Sequence, residues 1–124
     1  MTERERAARA IIERLLPHAR VYAQVSMGAL LQPAKRFRDD RDWRVRRSYA
    51  AKIVDFVIED RRSGSILALV EIDDHSHDAA RDRARDRLTA SAGYLTIRVP
   101  PGRLTQADIA ARLQPIMPKG RPPL

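Results

Sequence analysis

Lys52–His77 reads KIVDFVIEDRRSGSILALVEIDDHSH, and this stretch decides the fold. Two apolar runs flank a short polar segment. In the first, over 52–59, Val54, Phe56 and Ile58 alternate with Ile53, Asp55, Val57 and Glu59, the period of a strand. The second, over 66–73, is ILALVEID. Both are apolar on each face for most of their length, which predicts a sheet covered on both sides, as in a layered α/β fold. Ser63 and Gly64 bring turn chemistry to 60–65, so the two strands form an antiparallel hairpin.

Carboxylates in apolar strands are costly unless something charged requires them. Asp55 comes early in the first strand, and Glu71 and Asp73 close the second. With the turn centred between residues 62 and 63, Asp55 falls opposite Val70 and next to Glu71, within the ~5–8 Å of cross-strand neighbours. Glu71 and Asp73 share a face. Asp55 joins them only if a bulge or a one-residue shift sets its facing, which the sequence leaves open. Three carboxylates at one end of a sheet suit a hard divalent cation, Mg²⁺ or Mn²⁺. The plainer alternative is that Glu71, Asp73 and Asp74 end a strand in solvent while Asp55 pairs with an arginine.

Outward from the hairpin, residues 3–16 predict a helix, with Ala7, Ala8, Ile11, Ile12, Leu15 and Leu16 at helical spacing and Pro17 as the stop. Residues 21–25 are a short strand. Ser26 caps a brief helical turn through Leu31. The charged, Pro33-containing stretch 32–44 reads as a loop. Asp78 caps a helix over 79–91, Gly93 follows it as the C′ residue, and 94–99 (YLTIRV) is the last strand. Residues 105–114 form a short helix. The chain reads as one domain over 1–117 with a mobile tail, 118–124. The core order is helix, three strands, helix, strand, and the crossover to the last strand is expected to be right-handed.

The 124 residues carry a formal charge of +8 and no cysteine, which excludes disulfides and thiolate metal sites. No apolar run approaches the ~18–20 residues of a membrane span, and MTERERAARA is too charged for a secretory leader; a cytoplasmic protein is expected. Charge is segregated. Lys35, Arg36, Arg38, Arg41, Arg44, Arg46, Arg47 and Lys52 face only three acids in their stretch, whereas 53–80 is acidic. Basic flanks around an acidic centre suit a metal-dependent enzyme acting on a polyanion. Lys52 is placed to contact phosphate, and the basic run around Trp43, including Arg44, Arg46 and Arg47, to meet nucleic acid.

The elements K-x-V-D-F-V-I-x-D, A-L-V-E-I-D-D-x-S-H, R-D-R-L, G-Y and T-I-R-V, with VYAQVSMGALL and Glu5 to Pro17 upstream, resemble the DUF2726 family. That family is grouped with the Vsr-like and DUF559-like members of the PD-(D/E)XK nuclease superfamily. The resemblance covers residues 3 to about 100 and implies a restriction-endonuclease-like αβββαβ core, with a mixed four-stranded sheet flanked by helices. It implies Mg²⁺- or Mn²⁺-dependent hydrolysis of a phosphodiester in DNA. Asp55 and Glu71 match metal ligands of the motif, and Glu5 matches a further acidic position on the first helix. Asp73 stands where a lysine is usual, and acts as a third ligand or as a base. His77 matches a position able to donate a proton or stabilise charge, and Arg85-Asp86 matches the R-D pair, which implies that one of these two points toward the site. Arg98 occupies a family position without an assigned role. The remaining charges of helix 79–91 read as a solvated face.

A domain this small has few elements for reading bases, so specificity is expected to come from an accessory protein, from dimerisation as a homodimer, or from nucleic-acid shape. Because the lysine is missing, a non-catalytic nucleic-acid-binding module on the same fold is the competing expectation.

Overall fold

The computed structural model describes residues 1–31, 52–74, 79–91 and 93–118. The expected loop 32–44, which carries Trp43 and Arg44, the following Arg46 and Arg47, the segment carrying Ser76, His77 and the Asp78 cap, and the tail from residue 119 lie outside them.

The elements follow one another as α1 (Glu3–Leu15), β1 (Ala19–Ser26), α2 (Met27–Leu31), β2 (Ile53–Asp60), β3 (Ile66–Ile72), α3 (Ala79–Ser91), β4 (Thr96–Val99) and α4 (Gln106–Arg112), with a 3₁₀ turn at Gln114–Ile116. Among the described residues they build a mixed α/β fold around one four-stranded sheet of order β1-β2-β3-β4. β1 and β3 each run antiparallel to β2, which lies between them, and β4 is parallel to β3. A parallel return requires a crossover, which α3 supplies.

The two apolar faces of the hairpin pack differently. Phe56, Ile58, Val70 and Ile72, with Ile97 and Val99 of β4, meet Ala8, Ile11, Ile12 and Leu15 of α1 and Ile109 of α4. Val57 and Leu69 pack on Met27 and Leu30 of α2. Phe56 is fully buried, which alone contributes roughly 2–3 kcal/mol of transfer free energy.

Local chemistry fixes the ends. Thr2 and Glu5 form a capping box at the start of α1. Ser26 Oγ accepts the N–H of Gly28 and opens α2. Gly93, at φ 93°, closes α3: its N–H donates to Ala90 and that of Tyr94 donates to Thr89, a Schellman arrangement. Because Tyr94 is spent on that cap, β4 starts at Thr96 rather than at residue 94. β1 extends beyond the expected 21–25, since its pairing with β2 runs from Ala19↔Asp60 to Ser26↔Ile53. Gln24 interrupts it with a φ of 54°. Ala23 packs on the α1 face and Val25 on the α2 face. Phe56 and Val54, their partners on β2, divide the same way. Asp55 lies at this change of face.

Candidate functional site

The site is set by a register shift. Between Ile58 and Glu59 the β2–β3 pairing slips, so that Glu59 pairs with Ile66 while Ile58 pairs with Ala68. An unshifted hairpin puts Asp55 opposite Val70. With the shift, Val70 pairs with Phe56, and one step further Asp55 comes level with Glu71. On its other side Glu71 pairs with Arg98 of β4. Glu71 and Arg98 are thus neighbours in register, and Asp55 lies one position beyond the last β2–β3 pair, Phe56↔Val70.

Asp55 is half-buried, and its Oδ2 accepts the backbone N–H of Ile72 at 2.7 Å. Glu71 is 7% exposed and lines a small pocket with Met27, Val54, Leu69, Asp86, Thr89 and Thr96. Even counting space open to solvent, this pocket holds about 170 Å³, short of the roughly 300 Å³ at which pockets for organic ligands begin. Its open lining is mainly apolar, and its size excludes an organic cofactor.

Arg98 is the hub beside this pocket. Its Nε and Nη2 donate to the two oxygens of Asp86 at 2.8 and 2.9 Å, a two-pronged charge-assisted pair. Its Nη1 donates to Asp73 Oδ1 at 2.8 Å and lies 3.4 Å from Asp82 Oδ2. Burial works against the charged guanidinium. The hydrogen bonds and charges of Asp86, followed by the charges of Asp73 and Asp82, outweigh it and hold the Arg98 pKa above the ordinary arginine value.

The expected residues are only partly brought together. Asp55 and Glu71 are level. Asp73 sits just past β3, with its N–H on Val99 and its carboxylate on Arg98, a partner unforeseen in the sequence. Glu5 accepts the N–H of Thr2 in the α1 cap, on the helix that packs against the opposite face of the sheet. Among the described residues no group of three or more His, Cys, Asp or Glu side chains is assembled to hold a metal ion. Lys52 precedes β2 half-buried, and its carbonyl accepts the N–H of Met27. Arg85 lies on α3. His77, Arg44, Arg46 and Arg47 are outside the described residues.

The solvated-face reading of α3 needs correction at Asp82, whereas Asp86 is the member of the R-D pair that turns toward the site. Asp82 and Asp86 turn in to Arg98, their side chains 14% and 34% exposed, while Arg83 and Arg87 are exposed. The available signal was two acids one turn apart on a helix preceding a strand whose only charge is an arginine.

This chain, a mixed α/β protein with paired carboxylates beside a buried arginine network, belongs to the DUF2726 family. The family model, described as a protein of unknown function, matches residues 1–112. Neither the curated proteins nor the solved structures yield a match.

Proposed function

We propose that this protein is a metal-dependent DNA endonuclease of the PD-(D/E)XK type, built on a restriction-endonuclease-like core and acting in the cytoplasm. The observation that carries the reading is the level placement of Asp55 and Glu71 on adjacent strands. The register shift between Ile58 and Glu59 underlies it, a kind of irregularity that recurs where a strand must re-aim a side chain. Helix–strand order and the mixed sheet agree with the reading, as do the half-buried setting of Asp55 and the buried one of Glu71.

The donor set fits a hard divalent ion. Mg²⁺ is commonly held by one or two carboxylates, with water and substrate phosphate completing its shell, and Asp55 and Glu71 are the residues that would hold it. When bound, such an ion supplies Lewis-acid polarisation of a phosphoryl oxygen and counter-charge for the acids. The chain's own contributions are distinct. Asp55, fixed by the Ile72 N–H, presents a pre-oriented carboxylate. Glu71 places a second charge in a nearly dry setting, where electrostatic interactions are stronger than in water. Asp73 and His77, at and beyond the end of β3, are assigned to water and to the leaving oxygen. Lys52 and the basic run with Arg44, Arg46 and Arg47, together with Arg85, are assigned to phosphate.

The test is incubation of the purified chain with supercoiled plasmid in Mg²⁺ or Mn²⁺, with and without chelator. Metal-dependent nicking is expected. A second reading, a non-catalytic nucleic-acid-binding module, is favoured by one observation: the Asp73 carboxylate is engaged by Arg98. It predicts salt-sensitive DNA binding that neither chelator nor Asp55→Asn alters, and no nicking.

A further inference from the structure

We infer that Arg98 is a positioning residue of this site, holding Asp73 in an ion pair so that metal is left to Asp55 and Glu71 alone. The inference rests on the nuclease reading and deepens it.

Arg98 is paired in register with Glu71, so its side chain rises on the same face of the sheet. Its donors are committed. Asp86 takes Nε and Nη2, and Asp73 takes Nη1 at 2.8 Å with Asp82 close by. The guanidinium, Asp73 and Asp82 are all less than one-fifth exposed. An ion pair in that setting is screened little by salt, and releasing Asp73 from it leaves a partly buried cation with one partner fewer. The planar fork also fixes direction. With Asp86 held two-pronged from α3, Nη1 is the edge presented to Asp73 at the end of β3. Arg98 thereby joins the crossover helix to the strand end beside Glu71, and sets where the Asp73 carboxylate stands.

This yields an asymmetry among three acids that look equivalent in the sequence. Glu71 and Asp55 are the metal pair, and Asp73 is the anchor of a fixed cation. Neutralising Asp73 leaves the metal pair intact, and removing the Arg98 charge frees a third carboxylate beside it.

The experiment titrates Mn²⁺ into the full chain and follows free Mn²⁺ by electron paramagnetic resonance, for wild type, Glu71→Gln, Asp73→Asn, Arg98→Gln and Arg98→Lys. Thermal melts confirm folding. Plasmid nicking is measured in parallel. Glu71→Gln is expected to weaken Mn²⁺ binding by about tenfold or more, and Asp73→Asn to change it by less than about threefold. Arg98→Gln is expected to tighten Mn²⁺ binding by about threefold or more while nicking falls. Arg98→Lys, which keeps the charge, is expected to restore wild-type Mn²⁺ affinity. Asp73→Asn needs no change of shape, so its result stands even if Arg98→Gln does not fold. If Asp73→Asn loses as much affinity as Glu71→Gln, Asp73 is a ligand and the inference is overturned while the nuclease reading survives. A wild-type chain that neither binds Mn²⁺ nor nicks DNA overturns both.

Discussion

Asp55 and Ile72 are joined across the end of the β2–β3 ladder: the carboxylate Oδ2 accepts the Ile72 N–H at 2.7 Å, where a strand carbonyl would otherwise serve. The same side chain is thus asked to finish the sheet and to face the proposed metal. Two substitutions separate these duties. Asp55→Ala orphans the N–H and is expected to cost about 1–3 kcal/mol of stability. Asp55→Asn keeps an acceptor oxygen and is expected to stay within about 1 kcal/mol of wild type, while losing the charge the metal needs. Urea unfolding of the two variants checks this.

Arg98 carries three carboxylate contacts at once. Removing one partner of a buried ion pair costs several kcal/mol; because the Arg98 side chain is 19% exposed, Arg98→Met is expected to destabilise by a discounted ~2–4 kcal/mol. Arg98→Lys keeps the charge without the fork and is expected to recover only part of this. Chemical denaturation at neutral pH measures both.

The turn of the hairpin gives a pH-dependent prediction. Asp60 Oδ2 accepts from the hydroxyl of Ser63 at 2.7 Å and from its N–H at 3.3 Å. The Ser63 hydroxyl, foremost, holds the Asp60 carboxyl below its ordinary value of 3.8. A depressed folded-state pKa stabilises the fold above the unfolded value, and the gain is lost as pH falls through the folded one. Ser63→Ala is therefore expected to lower the melting temperature at neutral pH, and the gap to wild type is expected to close progressively as pH falls below 3.8. Melts across an acid series measure this closure.

Gly64, in the same turn, adopts φ +75° with nothing within 4 Å of where a Cβ would stand. The cost of Gly64→Ala is then conformational rather than steric, about 1–2 kcal/mol. A larger Gly102→Ala cost is expected, since that glycine sits at φ +118°, outside the left-handed region that L-residues can enter. Equilibrium unfolding of each variant checks the figure.

Much of the scaffold was legible because its signals are local. Alternation over 52–59, turn residues at 63 and 64, the Ser26 cap and the Gly93 stop act within a few positions of one another, and the hairpin and α3 follow from them. The decisive features of the site are not local. Whether Asp55 faces Val70 or Glu71 depends on a one-residue slip at Ile58 and Glu59, which side-chain patterning leaves open because both faces are apolar. The left-handed Gln24 carries no glycine or asparagine to announce it. On α3, R-D-R-A-R-D-R reads the same whichever row meets the sheet. Only the position of Arg98 on a strand added later in the chain turns Asp82 and Asp86 inward. The ion pair of Asp73 likewise depends on a partner, Arg98, that β4 brings from 25 residues further along the chain.

The central claim, that Asp55 and Glu71 form a metal pair that cuts DNA, is tested most directly by plasmid nicking in Mg²⁺ with wild type, Asp55→Asn and Glu71→Gln, each verified as folded. Chelator-sensitive nicking is expected of wild type, with a loss of about 100-fold or more in either variant. Nicking by Asp55→Asn within about threefold of wild type would contradict it.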